Sequence, residues 1–219
     1  LSIRRQRQMC IRDRDYSVKN GLAVVEVSMS LPVVGAAYQL RYTVNGSGKI
    51  QVEALYKPKK EKIPLMPKFG MRMRLPSSMD YVKWYGRGEF ENYPDRKTAA
   101  LVGYYTTDLN SFVTDYAFPQ DNANRCDVRW FSLNDKENRT IKVTGLQPLC
   151  FRVWPYGEED LEKSRHAYEL PGRDYVNVNI DLNIHGVGGA DSWGARTLDE
   201  YTMDGNQAYY YGYLMEYYD

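Results

Sequence analysis

The sequence predicts an all-β sandwich with one short helix, on three observations. Apolar and polar residues alternate with a period of two over most of the chain, the mark of half-buried strands. Aromatic residues make up 14% of the 219 residues, with 20 Tyr and 4 Trp, and large flat side chains favour strands. No alternation of strands with long helical periods occurs, so neither a Rossmann core nor a TIM barrel is encoded here.

The elements follow in order. Residues 1–14 carry five arginines against Asp13, a net of +4, while the whole chain is +1, which leaves −3 for residues 15–219. No apolar stretch follows these charges, so they are no secretory signal. The stretch resembles translated adapter read-through, and residues 1–14 are expected to be a non-native tail. The folded body is then residues 15–219, incomplete on its N-terminal side. Tyr38, Leu40, Tyr42 and Val44 alternate with Gln39, Arg41 and Thr43; Asn45-Gly46-Ser47-Gly48 breaks the run, and Ile50, Val52, Ala54 and Tyr56 resume it. That is a β-hairpin. Asn45-Gly46-Ser47 is also a glycosylation triplet, but Asn-Gly has its own conformational reason to occupy a turn. Residues 57–67, charged and Pro-rich, form a surface connection.

Further strands are expected at 71–75, 82–84, 98–105, 126–133, 140–144, 150–154, 176–182 and 209–217. Residues 158–167 (EEDLEKSRHA) form the one helix, acidic in its first turn and basic in its last, as the helix dipole favours.

Composition narrows the function. Lys plus Arg is 29 and Asp plus Glu is 28, which argues against a nucleic-acid binder, and no apolar run reaches the ~18 residues of a membrane span. Three Cys make no disulfide scaffold, and two His with three Cys make a poor metal site. Cys126 and Cys150 read as buried thiols, bridged only if their strands are neighbours.

Three loops are too rich in special residues to be plain connections: 86–96 (GRGEFENYPDR), 119–125 (PQDNANR) and 186–194 (GVGGADSWG). In the first, Glu89 and Glu91 lie two apart, the kind of carboxylate pair a glycosidase uses. Arg87 and Arg96 flank them, so an ion-paired loop is the stronger reading. In the third, Trp193 sits between glycines that let backbone approach a ligand closely. An exposed indole there can lie against the apolar face of a sugar ring, with Asp191 and Ser192 orienting it or bonding hydroxyls. Alternatively Trp193 plugs the end of the sandwich. His185 borders this loop.

These loops, with Lys68–Pro76, the Asp127-Val128-Arg129-Trp130 run and Asn179-Ile180-Asp181, closely resemble in order and spacing the C-terminal domain of glycoside hydrolase family 2 β-galactosidases. The resemblance covers residues 20–219. It implies a β-supersandwich similar to the galactose-mutarotase fold, forming the mouth of an active site whose two catalytic glutamates lie on a TIM barrel absent from this chain. No catalytic residue is assigned here. By motif match Trp193 belongs to the sugar-binding surface, with Asp191, Ser192 and His185 beside it. The pattern departs from the family at Ala190, where an acid is usual, and at His185, where Met is usual. The implied partners are a galactoside such as lactose, the remaining domains of the parent and a homo-oligomer, with no nucleic acid and no membrane. No cofactor is expected in this chain; Mg2+, with Na+ as a second ion, is implied in the barrel. The implied location is bacterial cytoplasm or periplasm, and the chain alone is expected to be inactive. The competing reading is a stand-alone carbohydrate-binding or mutarotase-like module, with His185 and Asp191 as its acid/base pair.

Overall fold

A computed structural model describes residues 10–219 apart from Ala190 and Ser192. Ser192, expected at the sugar contact, and the Ala190 departure therefore lie outside the described residues, as do residues 1–9. Eleven strands run β1 (Cys10–Lys19), β2 (Leu22–Leu31), β3 (Ala36–Asn45), β4 (Ile50–Pro58), β5 (Lys68–Pro76), β6 (Tyr81–Gly88), β7 (Leu101–Asp108), β8 (Arg125–Asn134), β9 (Thr140–Trp154), β10 (Tyr175–Ile184) and β11 (Tyr209–Tyr218). Every described residue from 11 to 20 is exposed, so β1 adds an outer strand to β2 without joining the core. Residues 10–14, set apart by composition, are thus part of a strand.

The strands form one antiparallel path, β1-β2-β3-β4-β11-β9-β8-β6-β7, with β10 and β5 as a branch from β9. One flank of β9 pairs with β8. Along the other, residues Thr140–Gly145 pair with β11 and Cys150–Trp154 pair with β10. The sheet therefore splits at the middle of β9. The β10–β5 leaf folds over the β11–β4–β3 leaf, and their apolar faces meet. Phe69 of β5 sits edge-on to Tyr211 at 5.3 Å and to Tyr38 at 5.9 Å. The Tyr211 hydroxyl donates across the gap to the Ile180 carbonyl at 3.2 Å, so this tyrosine buries its ring and still satisfies its polar end. A second aromatic group, Trp84, Phe112, Phe131 and Phe151, fills the space between β6, β8 and β9, with Phe131 stacked on Phe151 at 4.3 Å.

Among the described residues two short helices interrupt the strands, one more than expected. Helix α1 (Leu109–Phe112) starts at Asp108, whose carboxylate caps Ser111 N at 3.0 Å. Helix α2 (Glu158–Lys163) is shorter than its sequence signal, because Ser164 is extended and residues 167–169 form a separate 3-10 turn. The two strands expected at 140–144 and 150–154 are one continuous strand, β9. In the β3–β4 turn, Asn45 Oδ1 accepts from Ser47 N at 3.1 Å and Lys49 N at 3.1 Å, the conformational role expected of Asn-Gly. Cys126 and Cys150 lie on the neighbouring strands β8 and β9, but as free, buried thiols with their sulfurs 3.6 Å apart.

Candidate functional site

The three distinctive loops converge at one end of the sandwich. Residues 86–96 and 119–125 are zipped together by buried amides and one carboxylate. Asn124 Nδ2 donates to Asn92 O at 2.7 Å, and Cys126 N donates to Asn92 Oδ1 at 2.8 Å. Glu91 Oε2 accepts from Ala123 N at 2.7 Å, while Oε1 accepts from Arg96 at 2.6 Å and from the Tyr116 hydroxyl. Burial pushes the Glu91 carboxyl up, but Tyr116, Ala123 N and Arg96 together hold it below its ordinary value. Its oxygens are occupied, so Glu91 has the ion-paired role its flanking arginine suggests. Arg87, by contrast, pairs with Asp127 at 2.5 Å.

Beneath these loops lies a buried charge cluster that the sequence did not advertise. Arg152 on β9 is fully buried and binds Asp121 and, at 2.5 Å, Asp181 on β10. The Tyr93 hydroxyl donates to the other oxygen of Asp121 at 2.7 Å, tying the 86–96 loop to the same cluster. Burial raises the Asp181 carboxyl despite Arg152, and the two aspartates hold the Arg152 guanidinium in its charged form. Beside it Lys68, Arg72, Glu158 and Glu159 form a half-exposed ion network across β5 and α2.

Asp121 also lines two adjoining clefts. The larger, about 900 Å³, is mostly apolar and runs along β5, with Tyr38, Phe69, Met71, Phe118 and Leu161 among its walls. The smaller, about 540 Å³, is lined by residues 64–67, Asp121, His185, Gly186, Val187 and Arg196. Gly186, Val187 and Arg196 belong to the two limbs of the loop that carries Trp193.

Trp193 is 93% exposed, so it does not plug the sandwich end. Asp191 Oδ1 accepts from Trp193 N at 2.8 Å and Ala195 N at 3.2 Å, which commits that oxygen to shaping the turn. His185 is half-buried at the base of the loop, where its backbone N donates to Pro67 O at 2.8 Å. Its Nδ1 lies 2.6 Å from Gly186 O, within hydrogen-bond reach of that carbonyl. Among the described residues no hydrogen bond or ion pair joins His185 to Asp191. The residue missed by sequence reasoning is Asp95. Its Oδ2 accepts from Gly188 N at 2.6 Å and from the Thr197 hydroxyl at 3.3 Å, joining the first loop to the third. Among the described residues no group of three or more His, Cys, Asp or Glu is placed to hold a metal ion.

Known proteins resemble this chain over most of its length. A β-galactosidase from Priestia megaterium is 34% identical over 85% of this chain and 18% of its own length. One from Pseudoalteromonas haloplanktis is 38% identical over 78% of this chain and 16% of its own. The chain thus spans a fifth or less of the length of the curated relatives it matches. Among solved structures, the GH36 α-galactosidase AgaA of Geobacillus stearothermophilus, crystallised with stachyose, covers 97% of this chain at a TM-score of 0.53 and 10% identity, a likeness of fold alone. The family model described as beta galactosidase small chain matches residues 3–215. The chain belongs to the β-galactosidase small chain family.

Proposed function

We propose that this chain is the C-terminal supersandwich of a retaining family 2 β-galactosidase that cleaves terminal β-galactosides such as lactose. It forms the active-site mouth, while the acid/base and nucleophile lie in other domains of the parent. The carrying observation is Trp193: a fully presented indole on a loop whose two limbs border a cleft. An indole exposed to this degree gains nothing from packing within this chain, and its flat apolar face suits the C–H face of a galactose ring or leaving group. Asp191 shapes the turn beneath it, and His185 lines the cleft wall. The Mg2+ of the resemblance belongs to the barrel and would act there on charge, outside any step these residues perform.

Covering about 60 Å² of indole face at ~25 cal/mol/Å² is worth about 1.5 kcal/mol, roughly tenfold in affinity. In the complete enzyme Trp193→Ala should therefore raise KM for lactose about tenfold, with the thermal midpoint unchanged. Unaltered kinetics would refute the sugar-rim reading.

A further inference from the structure

The geometry points to Asp95 as the positioning residue of the Trp193 loop: one carboxylate clasps both limbs and so fixes where the indole is presented. This rests on the sugar-rim reading for its consequence in catalysis, but the clasp itself stands on contacts alone.

Trp193 has almost no packing of its own, so its location is set by the backbone that carries it. Gly188 precedes it and Thr197 follows it, and both donate to the same Asp95 oxygen, at 2.6 and 3.3 Å. The glycines are shaped around that carboxylate. A Cβ at Gly186 would lie 2.7 Å from Asp95 Cγ, and one at Gly188 would lie 3.0 Å from Oδ2, so side chains there would push the carboxylate away. Asp95 is itself held firmly. Arg96 N donates to Tyr93 O at 2.9 Å to close the turn, and the fully buried Tyr93 is tied through its hydroxyl to Asp121. A rigid corner thus grips a loop that, among the described residues, has few other ties, one being Gly186 N to Tyr201 O at 2.8 Å. Asp191 then shapes the tip inside the span that Asp95 closes. The distinctive residues of the first loop acquire a purpose: they hold the third.

The test labels the full chain with 5-fluorotryptophan, assigning the Trp193 line by Trp193→Phe. Asp95→Ala should shift or broaden the Trp193 line, leave those of the buried Trp84 and Trp154 in place, and speed exchange of the Gly188 amide at least tenfold. Asp95→Asn, which keeps an acceptor, should restore most of both. Gly186→Ala, whose Cβ displaces the carboxylate while residue 95 stays Asp, should reproduce the Trp193 signature, and serves if Asp95→Ala folds poorly. In the complete enzyme Asp95→Ala should raise KM for lactose several-fold with kcat nearly unchanged, and the Asp95→Ala/Trp193→Ala double variant should be no worse than Trp193→Ala. An unchanged Trp193 line and Gly188 exchange rate in Asp95→Ala would overturn the proposal, as would equal movement of all tryptophan lines. Silent Trp193→Ala kinetics would sink only the sugar-rim reading; a loosened Gly188 in Asp95→Ala would still uphold the clasp.

Discussion

Replacing Arg152 by Met tests whether the charge cluster under the loops is structural. The guanidinium is completely buried between Asp121 and Asp181, and Asp181 is itself almost fully buried. Methionine keeps much of the stem volume but leaves the buried Asp181 carboxylate without its paired guanidinium, with only the more distant Lys68 as a positive charge. Breaking a buried pair from one side costs about 3–5 kcal/mol. For a chain of this size each kcal/mol lowers the midpoint by about 2–4 °C, so a fall of roughly 6–20 °C is expected near neutral pH. The pH dependence has a definite sign. Burial already raises the Asp181 carboxyl in the folded state, and removing Arg152 takes away the larger of the two charges, Arg152 and Lys68, that oppose this. A group raised on folding favours the fold when protonated and opposes it once pH climbs through the raised value. The deficit relative to the parent should therefore be largest at neutral pH and shrink on acidification. Adding Asp181→Asn should recover part of it. The assay is thermal unfolding by circular dichroism between pH 5 and 8. A midpoint within 3 °C of the parent at pH 7, or a deficit that widens toward acid, would refute the reasoning.

Two further outcomes are expected. Glu91→Gln keeps an acceptor for Ala123 N but loses the Arg96 ion pair, and should cost about 1–3 kcal/mol at pH 7 in urea unfolding. Because the Glu91 carboxyl is held low in the fold, its contribution is present above the ordinary carboxylate range and is lost as pH falls through the depressed value. The deficit should fade in that acid window, and a deficit independent of pH would contradict the assignment. The purified 219-residue chain should not hydrolyse o-nitrophenyl β-galactoside, since no catalytic pair is assigned to it; measurable turnover would relocate the chemistry.

Local chemistry made most strands legible. The Val176–Leu182 alternation appears as β10, and the Tyr38–Val44 and Ile50–Tyr56 runs appear as the β3–β4 hairpin. What failed was local punctuation overridden by pairing. Gly145 and Pro148 look like a break, yet β9 continues through them by bulging: Thr144 faces Trp130 and Leu149 faces Val128, so the extra residues of β9 loop out and the ladder with β8 resumes beyond them. Helix α1 has only four residues, too few to show a period, although its Asp108 cap was there to be read. At the site, Trp193 stood out because glycines surround it. Arg152 did not, since its partners come from a loop and a strand distant in sequence. Nor did the Asp95–Gly188 contact, which joins residues 93 apart and leaves no trace in spacing.

The branching of β9 has a mechanical consequence. Its first half belongs to one leaf of the sandwich and its second half to the other, with β8 laced along its opposite flank. Neither leaf can swing without tearing a ladder on the strand both share. The gap between them is set by covalent continuity rather than by a hinge, so the domain meets its surroundings as an unyielding wall, and whatever adjusts at the mouth must do so in the loops.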